Sequence, residues 1–230
     1  SGRLTAAIVA AGGIARQMLA AKGIVIGSFC RSIGNVEDCD ERGIEDAKRS
    51  EGFPTRACTP ELDAMMSDCI MAARKDMDSV GGVVECIVTG LPIGFGGIWF
   101  ESLDAELAHA VFGIPACKGV EFGKGFDITR MRGSESNDAY RMKDGRIVTK
   151  TNNMGGVVGG MSDGADLVFR AAFKPTPSIG AKQETVDLKT CEDAELEIKG
   201  RHDPCIAPRA ASVVEAVTAL VLADQMERGL

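Results

Sequence analysis

The chain has 230 residues, 45% of them hydrophobic, with 26 basic and 33 acidic side chains and a net charge of -7. This length suits one large domain or two small ones, with a sizeable core. The acidity argues against general nucleic-acid or membrane-surface binding, so an anionic small molecule would need a local basic pocket.

Eight cysteines lie at 30, 39, 58, 69, 86, 117, 191 and 205, and none forms a C-x-x-C pair. They read as reduced, mostly core thiols of a cytoplasmic protein, not as a disulfide or zinc framework. No signal segment and no membrane span are expected. The opening "SGRLTAAIVAAGG" has no initiating methionine and reads as a chain that starts mid-protein.

Residues 5–21 predict a helix, with Thr5 as N-cap and Gly23 as its stop. The adjacent Gly12 and Gly13 cost helix propensity and suggest close packing against another backbone. "GIVIGSFC" alternates like a strand. Residues 35–59 read as an exposed, charge-rich connection. Residues 59–77 predict a second helix with a proline in its first turn. "GGVVECIVTGLP", 81–92, is a β-rich run, and 102–113 a short helix. Residues 118–133 are strand-like with glycine interruptions, and 134–146 are a polar excursion expected to be mobile. Residues 151–164 form a glycine-rich loop. Residues 166–178 read as a strand entering a proline-stiffened loop, and 187–200 as an acidic connection ending in a strand. The last helix, 208–229, is apolar on nearly every face, spans ~30 Å and must be buried. Helices and strands mix without βαβ alternation, so an α+β fold with antiparallel sheets against helices is expected.

Three stretches carry chemistry. "KGRHDPC", 199–205, places Arg201, His202, Asp203 and Cys205 together. A metal site needs three or four ligands, and the chain has two histidines, His109 and His202. Adjacent loop residues also make a poor Cys–His pair. Two readings stay open: a salt-bridged entrance to the last helix, or an anion site. In the second, Arg201 offers a planar fork of donors and Asp203 a carboxylate able to accept a proton. "FKPTPS", 173–178, sets Lys174, Thr176 and Ser178 on a stiff backbone, which suits a phosphate or a plain turn. "GGVVGGMSDG" lets a ligand approach the backbone, but it is no G-x-G-x-x-G element.

Taken in order, "SGRLTA", "DSVGGVVECIVTGLPIGFG", "LDAELAHAVFGIPACKGVEFGKGF", "GSESND", "TNNMGGVVGGMSDG", "FKPTPSI" and "GRHDPCIAPRAASVVEAVTALVLAD" resemble the chorismate synthase family from residue 1 to about 224. The resemblance implies a single domain over residues 1–230, a β-α-β sandwich with central helices between antiparallel sheets, assembled as a homotetramer. It implies a lyase of the shikimate pathway that removes phosphate and a ring proton from 5-enolpyruvylshikimate 3-phosphate. Reduced FMN is required without net redox change, and no NADPH-reductase domain is visible. Carried over, Ser1, Pro115, Ala116, Gly159, Lys174, Pro175, Thr176, Pro177, Ser178 and Arg201 would contact the flavin. Arg3 would bind the anionic substrate, and Asp203 would handle protons beside the flavin.

The family also has a region before "SGR" that carries two catalytic histidines and several substrate arginines. His109, mid-helix, reads as structural, and His202 is neither of those two. Leu4 stands where the family has glutamate, and "GFGGIWF" where it has "GLGEPVF". Two classes remain at this level: an FMN-dependent lyase, and a non-catalytic remnant that folds or oligomerises with weak flavin binding.

Overall fold

The computed structural model describes residues 2–229, and its helices and antiparallel strands form an α+β fold. A 3-10 turn at Gly2–Leu4 leads into α1 (Thr5–Ala20). Thr5 is not the cap. Leu4 already has helical backbone, so Thr5 is the first helical residue and its hydroxyl donates to the Gly2 carbonyl at 2.6 Å. Gly23, at φ 81°, turns the chain into β1 (Val25–Ile33) and β2 (Val36–Glu37). Next come α2 (Ile44–Ser50) and α3 (Pro60–Lys75), whose N-cap Thr59 accepts from the Leu62 amide. β3 (Gly82–Thr89), α4 (Leu103–Phe112) and β4 (Cys117–Phe122) follow. Then come α5 (Gly133–Ser136), β5 (Tyr140–Lys143), β6 (Arg146–Thr149), β7 (Val157–Val158) and β8 (Met161–Ser162). The chain closes with β9 (Leu167–Phe173), β10 (Gln183–Asp187), β11 (Glu192–Leu196) and α6 (Ala207–Glu227).

One antiparallel sheet, in the order β2-β1-β3-β9-β4, organises the molecule. Its helix-facing side shows strict period-two burial. Leu167, Phe169, Ala171 and Phe173 of β9 are buried in alternation. α6 lies on this side, flanked by α1 and α4. The helices come very close at Gly12, where a Cβ would stand 2.5 Å from the Ala216 Cα. Gly13 has nothing within 4 Å of such a Cβ, so only one glycine of the pair serves the crossing. Beside it Glu215, 2% exposed, accepts from Arg16 at 2.6 Å, Arg56 at 2.7 Å and the Ser28 hydroxyl at 2.8 Å. A buried carboxylate needs such partners.

Three segments depart from the sequence reading. Residues 35–59 are not simply an exposed connection. They contain β2 and α2, and Ala47, Ser50, Thr55, Ala57 and Cys58 are buried. α2 covers Phe29 and Ile87 on the other sheet face and comes this close because Gly27 has no side chain. The polar excursion at 134–146 carries α5 and the β5–β6 hairpin. The Asp144 and Gly145 turn of that hairpin has φ of 52° and 75°, as a type I′ turn requires. Residues 118–133 leave the sheet after Phe122 and continue as a 3-10 turn over Gly125–Arg130.

Candidate functional site

Several of the sequence-predicted site residues converge where β9 ends and β4 begins. Cys117 pairs with Phe173, so Ala116 and Lys174 are neighbours, and the Lys174 amide donates to the Ala116 carbonyl at 3.0 Å. Ala116, at φ 72°, is held in a left-handed conformation that costs a residue with a Cβ roughly 1–2 kcal/mol. The 174–178 loop is then tied down on its other side. The Ser79 hydroxyl donates to the Thr176 carbonyl at 2.7 Å. Gly81 lies so close that a Cβ would stand 2.4 Å from the Phe173 carbonyl oxygen and 3.1 Å from Pro175 Cδ. Ser79 and Gly81 were not singled out from sequence. The glycine pair at 81 and 82, just before a strand, was the available sign of a close backbone approach.

The 197–205 segment joins this cluster. The Val80 amide donates to the Pro204 carbonyl at 2.8 Å, and Ser178 Oγ lies 3.1 Å from His202 Nδ1. Between the segment and α3 opens a cleft of about 450 Å³, within the usual range for small-molecule sites. Arg74, Lys199, Arg201 and His202 line it, with Asp78 and Glu197 as the acidic members. Among the described residues, the side chains of Arg74, Lys174, Lys199 and Arg201 make no ion pair, whereas Asp203 receives Arg209 from the first turn of α6. The two readings of "GRHDPC" therefore divide between two residues. Asp203 takes part in a salt-bridged helix entrance, and Arg201 is exposed with its guanidinium open to an anion.

The remaining candidates are placed elsewhere. Ser1 lies outside the described residues. Arg3 is exposed in the turn before α1. Gly159, at φ 63°, is in the β7–β8 turn, and a Cβ there would meet nothing within 4 Å. That turn sits near the start of β9, since Gly156 packs on Asp166 and Leu167. Lys174 follows the end of the same strand, roughly 20 Å away along seven extended residues. One copy of the chain thus assembles Pro115, Ala116, residues 174–178, Arg201 and Asp203, and leaves Gly159 at the other end of the sheet.

The donor set suits a phosphate-bearing cofactor. It offers unpaired cations, a proline-stiffened loop and one buried polar atom, Thr176 Oγ1, that has no hydrogen-bond partner. Among the described residues no group of three or more His, Cys, Asp or Glu side chains is placed to hold a metal ion.

Comparison with known proteins bears on the chain as a whole. A family model described as chorismate synthase matches residues 1–226. The chain is 50% identical over 227 residues to a chorismate synthase of Archaeoglobus fulgidus, covering 98% of this chain and 63% of that protein. It is 49% identical over 230 residues to one of Thermococcus gammatolerans, covering 99% of this chain and 63% of that one. A crystal structure of chorismate synthase superposes with a TM-score of 0.83 at 32% identity, covering 100% of this chain and 65% of that chain. The chain therefore spans a little under two thirds of the length of these relatives.

Proposed function

Because the chain belongs to the chorismate synthase family, we propose that it serves as a lyase that eliminates phosphate from 5-enolpyruvylshikimate 3-phosphate to give chorismate, with reduced FMN as cofactor. The observation that carries this reading is that Ala116, the 174–178 loop and the 201–203 segment are hydrogen-bonded neighbours beside a cleft lined by Arg74, Lys199 and Arg201. The substrate bears a phosphate and two carboxylates, and FMN bears a further phosphate. In an acidic chain such ligands need cations held locally.

Lys174 and Arg201 bind anionic groups in this reading, Lys174 as a point charge and Arg201 as a planar fork. Thr176, Ser178 and the rigid Pro175 and Pro177 shape the flavin loop. Pro115 and Ala116 form its floor, and Arg3 contributes to the anionic substrate. When bound, reduced FMN supplies the electron density that the departing phosphate requires. The Asp203 carboxylate holds and moves a proton beside it, and the Arg209 pair orients that carboxylate. Ser1 belongs to the same proposed flavin set, and Gly159, at the other end of the sheet, would join it from another subunit of the assembly.

Assembly as a homotetramer is part of the proposal. Exposed apolar side chains, among them Ile14, Met18, Trp99 and Phe100, leave area for contacts between subunits. So is a cytoplasmic location, which the eight free cysteines support. No helix among the described residues is long and apolar enough to cross a membrane.

Chorismate formation, followed anaerobically with reduced FMN, tests the reading. The wild-type protein should form chorismate. Asp203→Asn should lower turnover about 100-fold or more while flavin affinity holds, the loss expected for a removed acid–base group. No chorismate from the wild-type protein, or full activity in Asp203→Asn, would count against it.

A further inference from the structure

We propose that His202 is a positioning residue that locks the 174–178 loop to the 201–203 segment, so that Lys174 and Arg201 are presented to one ligand as a single unit. This rests on the flavin-site reading of those two segments. The imidazole is half-buried and uses both ring nitrogens. Nε2 lies 2.8 Å from the Ile198 carbonyl oxygen, which can only accept, so Nε2 carries the proton. In the neutral ring Nδ1 is then an acceptor, and the Ser178 hydroxyl, 3.1 Å away, donates to it. The Ile198 carbonyl thus sets the tautomer, and the tautomer sets the direction of the bond to Ser178.

The loop has few other ways to be held. Pro175 and Pro177 remove two backbone donors from its five residues. Its other ties run to Ala116 and Ser79, on the β4 and β3 side. Among the described residues, no other hydrogen bond joins the 174–178 loop to the 197–203 segment. Without His202 the two segments remain linked indirectly, through Ser79 on Thr176 and Val80 on Pro204, so the spacing between Lys174 and Arg201 is held less tightly. Affinity for a ligand that needs both cations at once falls when they must be brought into register on binding.

Three substitutions separate the two hydrogen bonds. His202→Asn keeps an acceptor near the Nδ1 position, His202→Gln keeps a donor near Nε2, and His202→Phe keeps ring volume alone. Titration with FMN should show the dissociation constant rising about three- to tenfold in the Phe and Gln variants, as for one lost hydrogen bond. His202→Asn should stay within about twofold of wild type. Ser178→Ala should reproduce the loss, and adding His202→Phe to it should cost nothing further. Amide hydrogen exchange at residues 174, 176 and 178–180 of the ligand-free protein gives a readout that does not depend on flavin. Exchange should quicken in the Phe and Gln variants and hold in His202→Asn. Unchanged exchange in all three variants, or full additivity of Ser178→Ala with His202→Phe, overturns the proposal. Absence of FMN binding by the wild-type protein would instead remove the flavin reading, and the exchange data would still decide whether His202 joins the segments.

Discussion

Buried thiols are the side chains whose ionisation the fold alters most. Desolvation pushes Cys205 from an ordinary 9.0 up to about 11 and Cys58 up to about 12, and it carries Cys30 and Cys86 higher still. The unfolded chain loses these protons near pH 9, while the folded chain keeps them. The stability linked to them is therefore complete below pH 9 and is lost as pH rises through 11 to 12. Urea midpoints should fall between about pH 8 and pH 10.5, and a midpoint that holds or rises across that range contradicts this. At the same scale, the residues of the proposed site that could be read from sequence were those with a chemical signature of their own. Lys174 on a proline-stiffened loop and Arg201 beside Asp203 could be named from sequence. Ser79 and Gly81 could not, because each acquires meaning from a partner more than ninety positions away. His202 drew attention from sequence for metal and nucleophile roles, whereas its actual partners are a hydroxyl and a carbonyl.

Long amphipathic or apolar elements were readable and short ones were not. α1, α3, α4, α6, β3 and β9 follow their hydrophobic patterns to within a few residues. α2 has seven residues and buries only Ala47 and Ser50, too small a stripe to register as a period. The β5–β6 hairpin buries nothing fully, so alternation could not reveal it, although its Asp-Gly turn carried the usual signature. The glycine pair of α1 gives a test at this scale. Gly12→Val forces a side chain into the α6 backbone and should destabilise by about 1–3 kcal/mol or more. Gly13→Ala fills open space on a helical backbone and should stabilise by about 0.5–1 kcal/mol. Denaturant unfolding of the two variants checks the pair, and equal effects would refute the crossing geometry.

Across the whole molecule, topology brings the candidate residues just before β4, on the 174–178 loop and on the 197–205 segment to one place. Many arginines are tied up in pairs such as Arg16 and Arg56 with Glu215, Arg42 with Asp38, and Arg170 with Glu85 and Glu121. Among the described residues, Arg74, Lys199 and Arg201 on the cleft and Lys174 beside it make no ion pair, in a chain of net charge -7. The local chain could announce an anion loop, and the family blocks could say which anion. The gathering itself follows from the antiparallel β4–β9 register and from the close approach of Gly81. The most direct test of this account is equilibrium titration of the wild-type protein and Arg201→Ala with FMN. Saturable binding by the wild-type protein is predicted, weakened in Arg201→Ala by about 1.5–3 kcal/mol, the contribution of a charge-assisted hydrogen bond. No saturable binding, or the same affinity in both proteins, would contradict it.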